Sequence, residues 1–360
     1  MSRPVVVQHY AGSPGANGPL TAVERVLASP LAERYEFVRM HQHRGNGGLD
    51  VALLREWVTL LRRVRPDLVH VRGLQNEGFH GVLAARLAGC RRILVTVHGT
   101  VRDLRYAGRS WRHRLLVHGA EPFTLRAATH VATVCEYAAG RDFLAGVGRR
   151  FVGVIPNGVP VPAEPRAARE RVRATLDLTG DDLVMLTVGR LTWEKGFATL
   201  AGALRRLPPG PARRVLLVAG DGPDRAGIEA ALRDAGPVTV RLLGGRSDVP
   251  DLLSAADLFV FPSLHENLSN ALLEAMAHGL PVVASAVGGN VEVLRQGGGR
   301  LVPPADPSAL AAAIAPLLAD PAERRDVGDL ARKVVDNGYS LDAMLATLDG
   351  TYRRILGELS

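Results

Sequence analysis

The 360 residues carry 47% apolar and 22% charged side chains, more chain than one hydrophobic core usually organises, so two domains are expected. No window approaches the roughly 20 apolar residues needed to span a bilayer, and the apolar stretch after Met1 is too short for a secretory leader, so a cytoplasmic protein is expected. Cys90 and Cys135 stand far apart with no C-x-x-C spacing, which argues against a disulfide scaffold or a cysteine zinc site.

The net charge of +8 is uneven: residues 1–165 hold 22 Lys/Arg against 12 Asp/Glu, and residues 166–360 hold 22 against 24. An excess of +10 in one half suits an anionic substrate or a membrane surface. Lys195 and Lys333 are the only lysines, so part of that excess is a chain-wide preference for arginine.

Short β-rich apolar runs alternate with helix-period segments along the chain, the pattern of βα units feeding a parallel sheet. Strands are expected at Val5–His9, Glu36–Met40, Leu68–Val71, Ile93–Val97, His130–Val134 and Phe151–Ile155. Helices near Leu20–Ala28, Leu49–Val64, Gly78–Ala88 and Trp111–Arg126 separate them. Pro156 to Pro162 is rich in turn residues and marks a join at 157–166, before a helix over Arg166–Leu176. Further strands follow at Val184–Val188, Val215–Ala219, Val238–Leu243, Leu258–Phe261, Pro281–Ser285 and Leu301–Val302. The α/β count gives two Rossmann-like sheets of about six strands. Leu341, Met344, Leu345, Leu348, Tyr352 and Leu356 form a last helical stripe that needs a partner surface.

Neither the G-x-G-x-x-G dinucleotide fingerprint nor the P-loop occurs, and Gly220-Asp221-Gly222 has its next glycine misplaced at Gly227. His265-Glu266 lacks the second histidine of a zincin. No Asp-x-Asp is present to clamp a metal diphosphate, so no metal or cofactor is expected and side chains and helix ends must neutralise a diphosphate. The run from Val260 through His265 to Gly279 supplies such an end. A strand leads into a polar loop, and a helix starts near Ser269 with free N–H groups and a dipole that favour an anion. Leu272, Leu273, Ala275 and Met276 bury that helix, so Glu274 lies among apolar neighbours and requires a hydrogen-bonding partner.

Glu266 and Glu274 enclose seven residues, and this segment resembles the E-x7-E motif of the retaining family 4 glycosyltransferases. The stretches Val188–Gly196, Val218–Pro223, Leu243–Val249 and Leu272–Gly289 extend the resemblance over nearly the whole second domain. It implies a GT-B fold of two Rossmann-like domains facing across a cleft. Residues 1–160 would take the acceptor, 161–340 the nucleotide-sugar donor, and the helix of 341–360 would pack back on the first domain. The implied activity is metal-independent transfer of a sugar, with retention, from a UDP-sugar to an acceptor hydroxyl in antibiotic or cell-envelope glycan biosynthesis.

By the same resemblance Arg190 and Lys195 grip the diphosphate, a role that suits cations beside a leaving group gaining negative charge. Glu274 binds the ribose diol and Glu266 a donor-sugar hydroxyl. The amides of Asn267, Leu268, Ser269 and Asn270 face the sugar and diphosphate, with the side chains of Asn267 and Ser269 presented toward the donor. Gly220, Asp221 and Arg246 line the nucleoside. In the first domain Asn17 and Gly18 occupy the positions of paired glycines near the diphosphate, Asn17 replacing the first, and a plain turn explains them as well. His98, at a strand end, stands where the family carries a histidine close to the reacting sugar.

The cluster Arg102, Arg105, Arg109, Arg112, Arg114 and Arg126, interleaved with Trp111, Leu115 and Phe123, reads as a surface helix or as a peripheral contact with the inner face of a membrane. The expected acceptor is a small molecule or a lipid-linked glycan. No nucleic-acid module accompanies the charge. An epimerase or phosphorylase on the same scaffold, or a non-catalytic sugar-nucleotide-binding subunit, are the alternative functions.

Overall fold

The computed structural model describes residues 3–12, 18–42, 48–100, 102, 114–164 and 167–359. Two compact units result. The first comprises Met1–Asn157 and Met344–Ser360, and the second Gly158–Ala343.

The first unit holds six parallel strands, β1 (Val5–Ala11), β2 (Glu36–Gln42), β3 (Leu68–Arg72), β4 (Ile93–Val97), β5 (His130–Thr133) and β6 (Phe151–Val154), in the order β2-β1-β3-β4-β5-β6. The order reverses beside β1, so the carboxyl ends of β1 and β3 flank the switch point where open parallel sheets bind ligands. Every residue of β4 is buried, as expected of a strand covered on both faces. One covering helix is Val51–Val64, capped by Asp50, whose carboxylate accepts from Leu53 N–H at 2.9 Å. Its Leu54, Trp57 and Leu61 lie on one face and join Val69, Val71 and Val95 in the core.

The second unit repeats the architecture with β7 (Leu183–Val188), β8 (Arg214–Ala219), β9 (Val238–Gly244), β10 (Leu258–Phe261), β11 (Val282–Ser285) and β12 (Gly299–Val302), ordered β12-β11-β10-β7-β8-β9. Here the switch point falls between β7 and β10. Two helices, Pro307–Ala319 and Pro321–Gly338, each begin with proline after an aspartate cap, Asp306 and Asp320, the arrangement that satisfies first-turn N–H groups without wasting a donor.

The final helix, Leu341–Leu356, carries the chain's end onto the first sheet. Tyr352 is fully buried and its hydroxyl accepts from Gln8 Nε2 at 2.9 Å. The same hydroxyl lies 2.6 Å from His70 Nδ1, and His70 Nε2 lies 2.7 Å from Thr96 Oγ1. Tyr352, His70 and Thr96 thus form one buried chain, in which the imidazole tautomer sets which group donates. Asp349 accepts from Tyr35 at 2.8 Å and pairs with Arg34.

Local details differ from the sequence reading where helix period alone was the guide. The expected helix over Trp111–Arg126 is a π-helical turn, Leu116–Ala120, running into an α-helix, Glu121–Ala127, and residues 103–113 lie outside the described residues. The helix after the join spans Arg169–Thr175. The short helical turns at Leu31–Arg34 and Glu136–Ala139 and the segment Asp142–Arg150 have too few residues, or too much glycine, for a periodic signal.

Candidate active site

In the second unit the loops after β7 and β10 touch through their backbones. Gly196 has φ +71°, and a Cβ there would lie 1.9 Å from the carbonyl oxygen of Pro262, so only glycine fits. Leu264 N–H donates to Glu194 O at 2.7 Å. This contact sets Lys195 against the polar loop, and its Nζ donates to Glu266 Oε1 at 2.5 Å, 5.6 Å above the ring of Phe261. The two side chains are 23% and 11% exposed, so the pair is mostly withdrawn from water yet open on one side. The structure thus brings together two residues 71 positions apart that were selected separately in the sequence.

The loop then enters the helix Asn270–Ala277. Ser269 is its cap, buried, with Oγ accepting from Leu272 N–H at 3.4 Å. Its hydroxyl caps the helix as an acceptor and keeps its own O–H donor. Asn267 fixes the loop by accepting at its carbonyl from Gly289 N–H at 2.6 Å, where a Cβ on Gly289 would lie 2.1 Å from the same oxygen. Leu268 is buried and Glu274 is half-buried on the helix's second turn. The Asn270 side-chain oxygen is buried without a hydrogen-bond partner, as are Ser263 Oγ, Ser285 Oγ and Asn290 Oδ1. Four unsatisfied polar atoms around the carboxyl ends of β10 and β11 mark a place finished by water or a ligand. Ser263, Ser285 and Asn290 escaped the sequence reading; their signal was small polar residues directly after apolar strands.

The remaining expected residues lie farther from this pair in character. Arg190 is 65% exposed and 3.6 Å from Glu194. Gly220 ends β8, and Asp221 is exposed, its carboxylate accepting from Gly222 N–H at 2.8 Å and lying 3.7 Å from Arg225. Arg246 makes two bonds to Asp248, at 2.7 and 2.5 Å, which raise the guanidinium's pKa and lower the carboxyl's. Its charge is already balanced.

In the first unit, His98 follows β4 directly, and burial, with the charge of Arg72, pushes its pKa down to about 3. At neutral pH it is an uncharged imidazole able to donate or accept a hydrogen bond. Gly18 opens the helix Gly18–Leu27; Asn17 lies outside the described residues, as do Arg105, Arg109, Trp111 and Arg112. Of the basic cluster, Arg102 is paired with buried Glu121 at 3.0 Å and Arg114 is exposed. The sequence reading overlooked Arg72, the last residue of β3, which donates to Gln8 Oε1 at 2.8 Å and to His9 O at 3.3 Å.

Both halves match described families. Residues 168–334 match the family described as "Glycosyl transferases group 1", and residues 9–161 match "Glycosyltransferase Family 4". The chain is 32% identical over 326 residues to the 2-deoxystreptamine glucosyltransferase of Streptomyces kanamyceticus, covering 85% of this chain and 82% of that one. It is 30% identical over 259 residues to the UDP-Gal:alpha-D-GlcNAc-diphosphoundecaprenol alpha-1,3-galactosyltransferase of Escherichia coli, covering 67% and 63%. Sucrose-phosphate synthase from Thermosynechococcus elongatus has the same fold, with a TM-score of 0.78, 22% identity and coverage of 99% and 100%.

Proposed function

The chain belongs to the GT-B glycosyltransferases, and within that family we propose that it moves a sugar from a UDP-sugar to an acceptor hydroxyl with retention and without a metal. The observation that carries this reading is the Lys195–Glu266 pair, 2.5 Å long, beside the amino end of the Asn270–Ala277 helix. A cation, a carboxylate and a helix end are the parts needed to hold a diphosphate and a neighbouring sugar hydroxyl. On donor binding Lys195 exchanges Glu266 for a phosphate oxygen, and Glu266 is released to accept from the sugar.

The bond from the anomeric carbon to the leaving phosphate breaks as the bond to the acceptor oxygen forms on the same face. The acceptor's proton passes to the departing phosphate oxygen. Lys195, Arg190 and the helix end stabilise the negative charge that the phosphate gains, and Glu274 holds the ribose. The chain has no Asp-x-Asp, so these groups supply the positive charge.

We assign the donor to the second unit and the acceptor to the first, with His98 near the reacting sugar. Relatives in antibiotic and envelope glycan assembly support acceptors of either setting. A cytoplasmic location with peripheral contact through the basic first unit belongs to the same proposal. Salt-sensitive flotation on anionic vesicles is its check; no binding at low salt rejects the membrane contact.

The decisive experiment is turnover of UDP-glucose across a panel of neutral, amine-bearing and acidic hydroxyl acceptors in excess EDTA, with the anomer of the product formed read by NMR. Undiminished rate and an α-linked product are expected. Loss on chelation restored by magnesium or manganese, or an inverted product, would refute the mechanism. Consumption of donor without acceptor, giving an epimer or a sugar phosphate, would point to the epimerase or phosphorylase alternatives.

A further inference from the structure

Some interior arginines among the described residues meet a carboxylate, and others, half-buried Arg150, Arg241 and Arg324, donate to backbone carbonyls, none of them at the carboxyl end of a strand. Buried Arg173 and half-buried Arg169 share Asp257, at 2.8 and 2.6 Å, and Arg102 meets Glu121. Arg72 does not: among the described residues no carboxylate lies within 4.0 Å of it, and its partners are the neutral Gln8 amide, a backbone carbonyl and the Tyr352 hydroxyl. Arg214, also buried and without a carboxylate, opens β8 and donates to Pro208 O at the amino end of its sheet, away from the ligand end.

Arg72 instead closes β3 at the switch point of the first sheet, where ligands of such sheets enter. The three histidines around it do not balance its charge. Burial and the guanidinium itself keep His9, His70 and His98 neutral, and Glu77, at the start of the next helix, makes no ion pair with Arg72 within 4.0 Å among the described residues, its pKa raised by burial. Burial also lowers the pKa of Arg72, yet a guanidinium stays protonated in proteins. A half-buried cation kept without a counter-ion is costly unless a ligand supplies one.

We infer that Arg72 receives an anionic group of the acceptor, a carboxylate or a phosphate, at the carboxyl end of β3. The planar fork of the guanidinium, with one nitrogen already oriented by Gln8 and the His9 carbonyl, suits either group in a two-bond contact. This rests on the reading of the first unit as the acceptor side. It makes the acceptor class of this enzyme acidic rather than neutral or amine-bearing.

A matched set on one ring tests it: glucose, glucosamine, glucuronate and glucose 6-phosphate, each titrated calorimetrically at low salt onto the full chain with and without saturating UDP, alongside inorganic phosphate. Glucuronate and glucose 6-phosphate are expected to bind at least tenfold tighter than glucose, and glucosamine no better than glucose. Arg72→Gln is expected to abolish the preference while UDP affinity stays within twofold, and Arg72→Lys to retain part of it. Lys195→Ala, which removes the donor-side cation, should leave the preference intact.

Equal binding of the four sugars, a preference that survives Arg72→Gln, or one that vanishes in Lys195→Ala instead would overturn the inference. So would binding of inorganic phosphate alone, since the site would then take a free ion and not an acceptor. Should Arg72→Gln fail to fold, the loss in Arg72→Lys still decides, because a retained charge with altered geometry weakens a two-bond contact several-fold. Failure of the wild type to bind UDP would break the transferase reading separately, because the titrations without UDP stand alone.

Discussion

Both sheets are six-stranded, but their strand orders differ, and their carboxyl ends are built from different materials. In the second unit the site is made of backbone: Gly196 against Pro262, Gly289 against Asn267, a capped helix end, and one ion pair set on that frame. In the first unit it is made of side chains projecting from strands, with Gln8, His70 and Arg72 meeting Tyr352 from the far end of the chain and Thr96 bonded to His70. Backbone sites tolerate few residue types and leave spaced motifs. Side-chain sites of this kind leave only polar residues at alternate strand positions, which a reader takes for ordinary core or surface.

Removing the cation of the backbone-built site should have the largest effect. Lys195→Ala is expected to lower kcat by about two orders of magnitude, or about 3 kcal/mol, as for loss of one donor to developing charge. Circular dichroism should show the variant folded. A loss under fivefold would mean that Lys195 does not bear on the transition state and that the contrast between the units has been drawn around the wrong residues.

Acid should separate the units next. The pKa values of His9 and His98 are both pushed down to about 3, first by burial. A depressed histidine pKa leaves stability whole above the unfolded value near 6.5 and removes it as pH falls toward 3, since the unfolded chain takes up the proton first. At pH 5 each imidazole should cost about 2 kcal/mol. The second unit has His278 alone shifted downward among its described histidines. Urea unfolding at pH 7.5 and 5.0, followed at Trp57 in the first unit and Trp193 in the second through single-tryptophan variants, should show the larger midpoint shift at Trp57. Equal shifts would contradict the burial assigned to the histidines.

A smaller effect is expected at Glu274. Glu274→Ala should weaken UDP binding about tenfold, the scale of one hydrogen bond to a charged group, with kcat at saturating donor changed less. Calorimetry gives the first quantity and initial rates the second. If kcat falls and affinity does not, Glu274 serves the sugar and not the ribose.

These contrasts also explain what was legible in the sequence. The central strands were readable because strands buried on both faces are continuous apolar runs, as in β4 and β8, whereas the partly buried β2, β6, β9 and β12 rested on β-rich residues between turn signals. Lys195 and Glu266 were singled out through the resemblance of the segments around them to a family's spaced motifs, and the structure pairs them. Arg72 was not, because one arginine among many at a strand end carries no spacing, and its place at the switch point of the sheet is a three-dimensional fact. Nor was the role of Tyr352, whose partners Gln8 and His70 lie 344 and 282 residues away.

The finest test concerns Ser269, whose side chain the sequence reading turns toward the donor and whose Oγ caps the helix. As a cap its Oγ accepts from Leu272 N–H, and replacing such a residue by alanine typically costs about 1 kcal/mol of stability. Ser269→Ala should therefore lower the urea midpoint of the second unit slightly, and Ser269→Asp, which also caps, should restore it. Turnover should change less than threefold in Ser269→Ala, because the N–H groups that face an anion are backbone and remain. Ser269→Asp should do the opposite, stable but weaker for UDP, since it adds negative charge at the helix end. If alanine instead leaves stability unchanged and raises KM for the donor, the hydroxyl touches the ligand. The second unit's site would then depend on side chains more than its backbone contacts suggest.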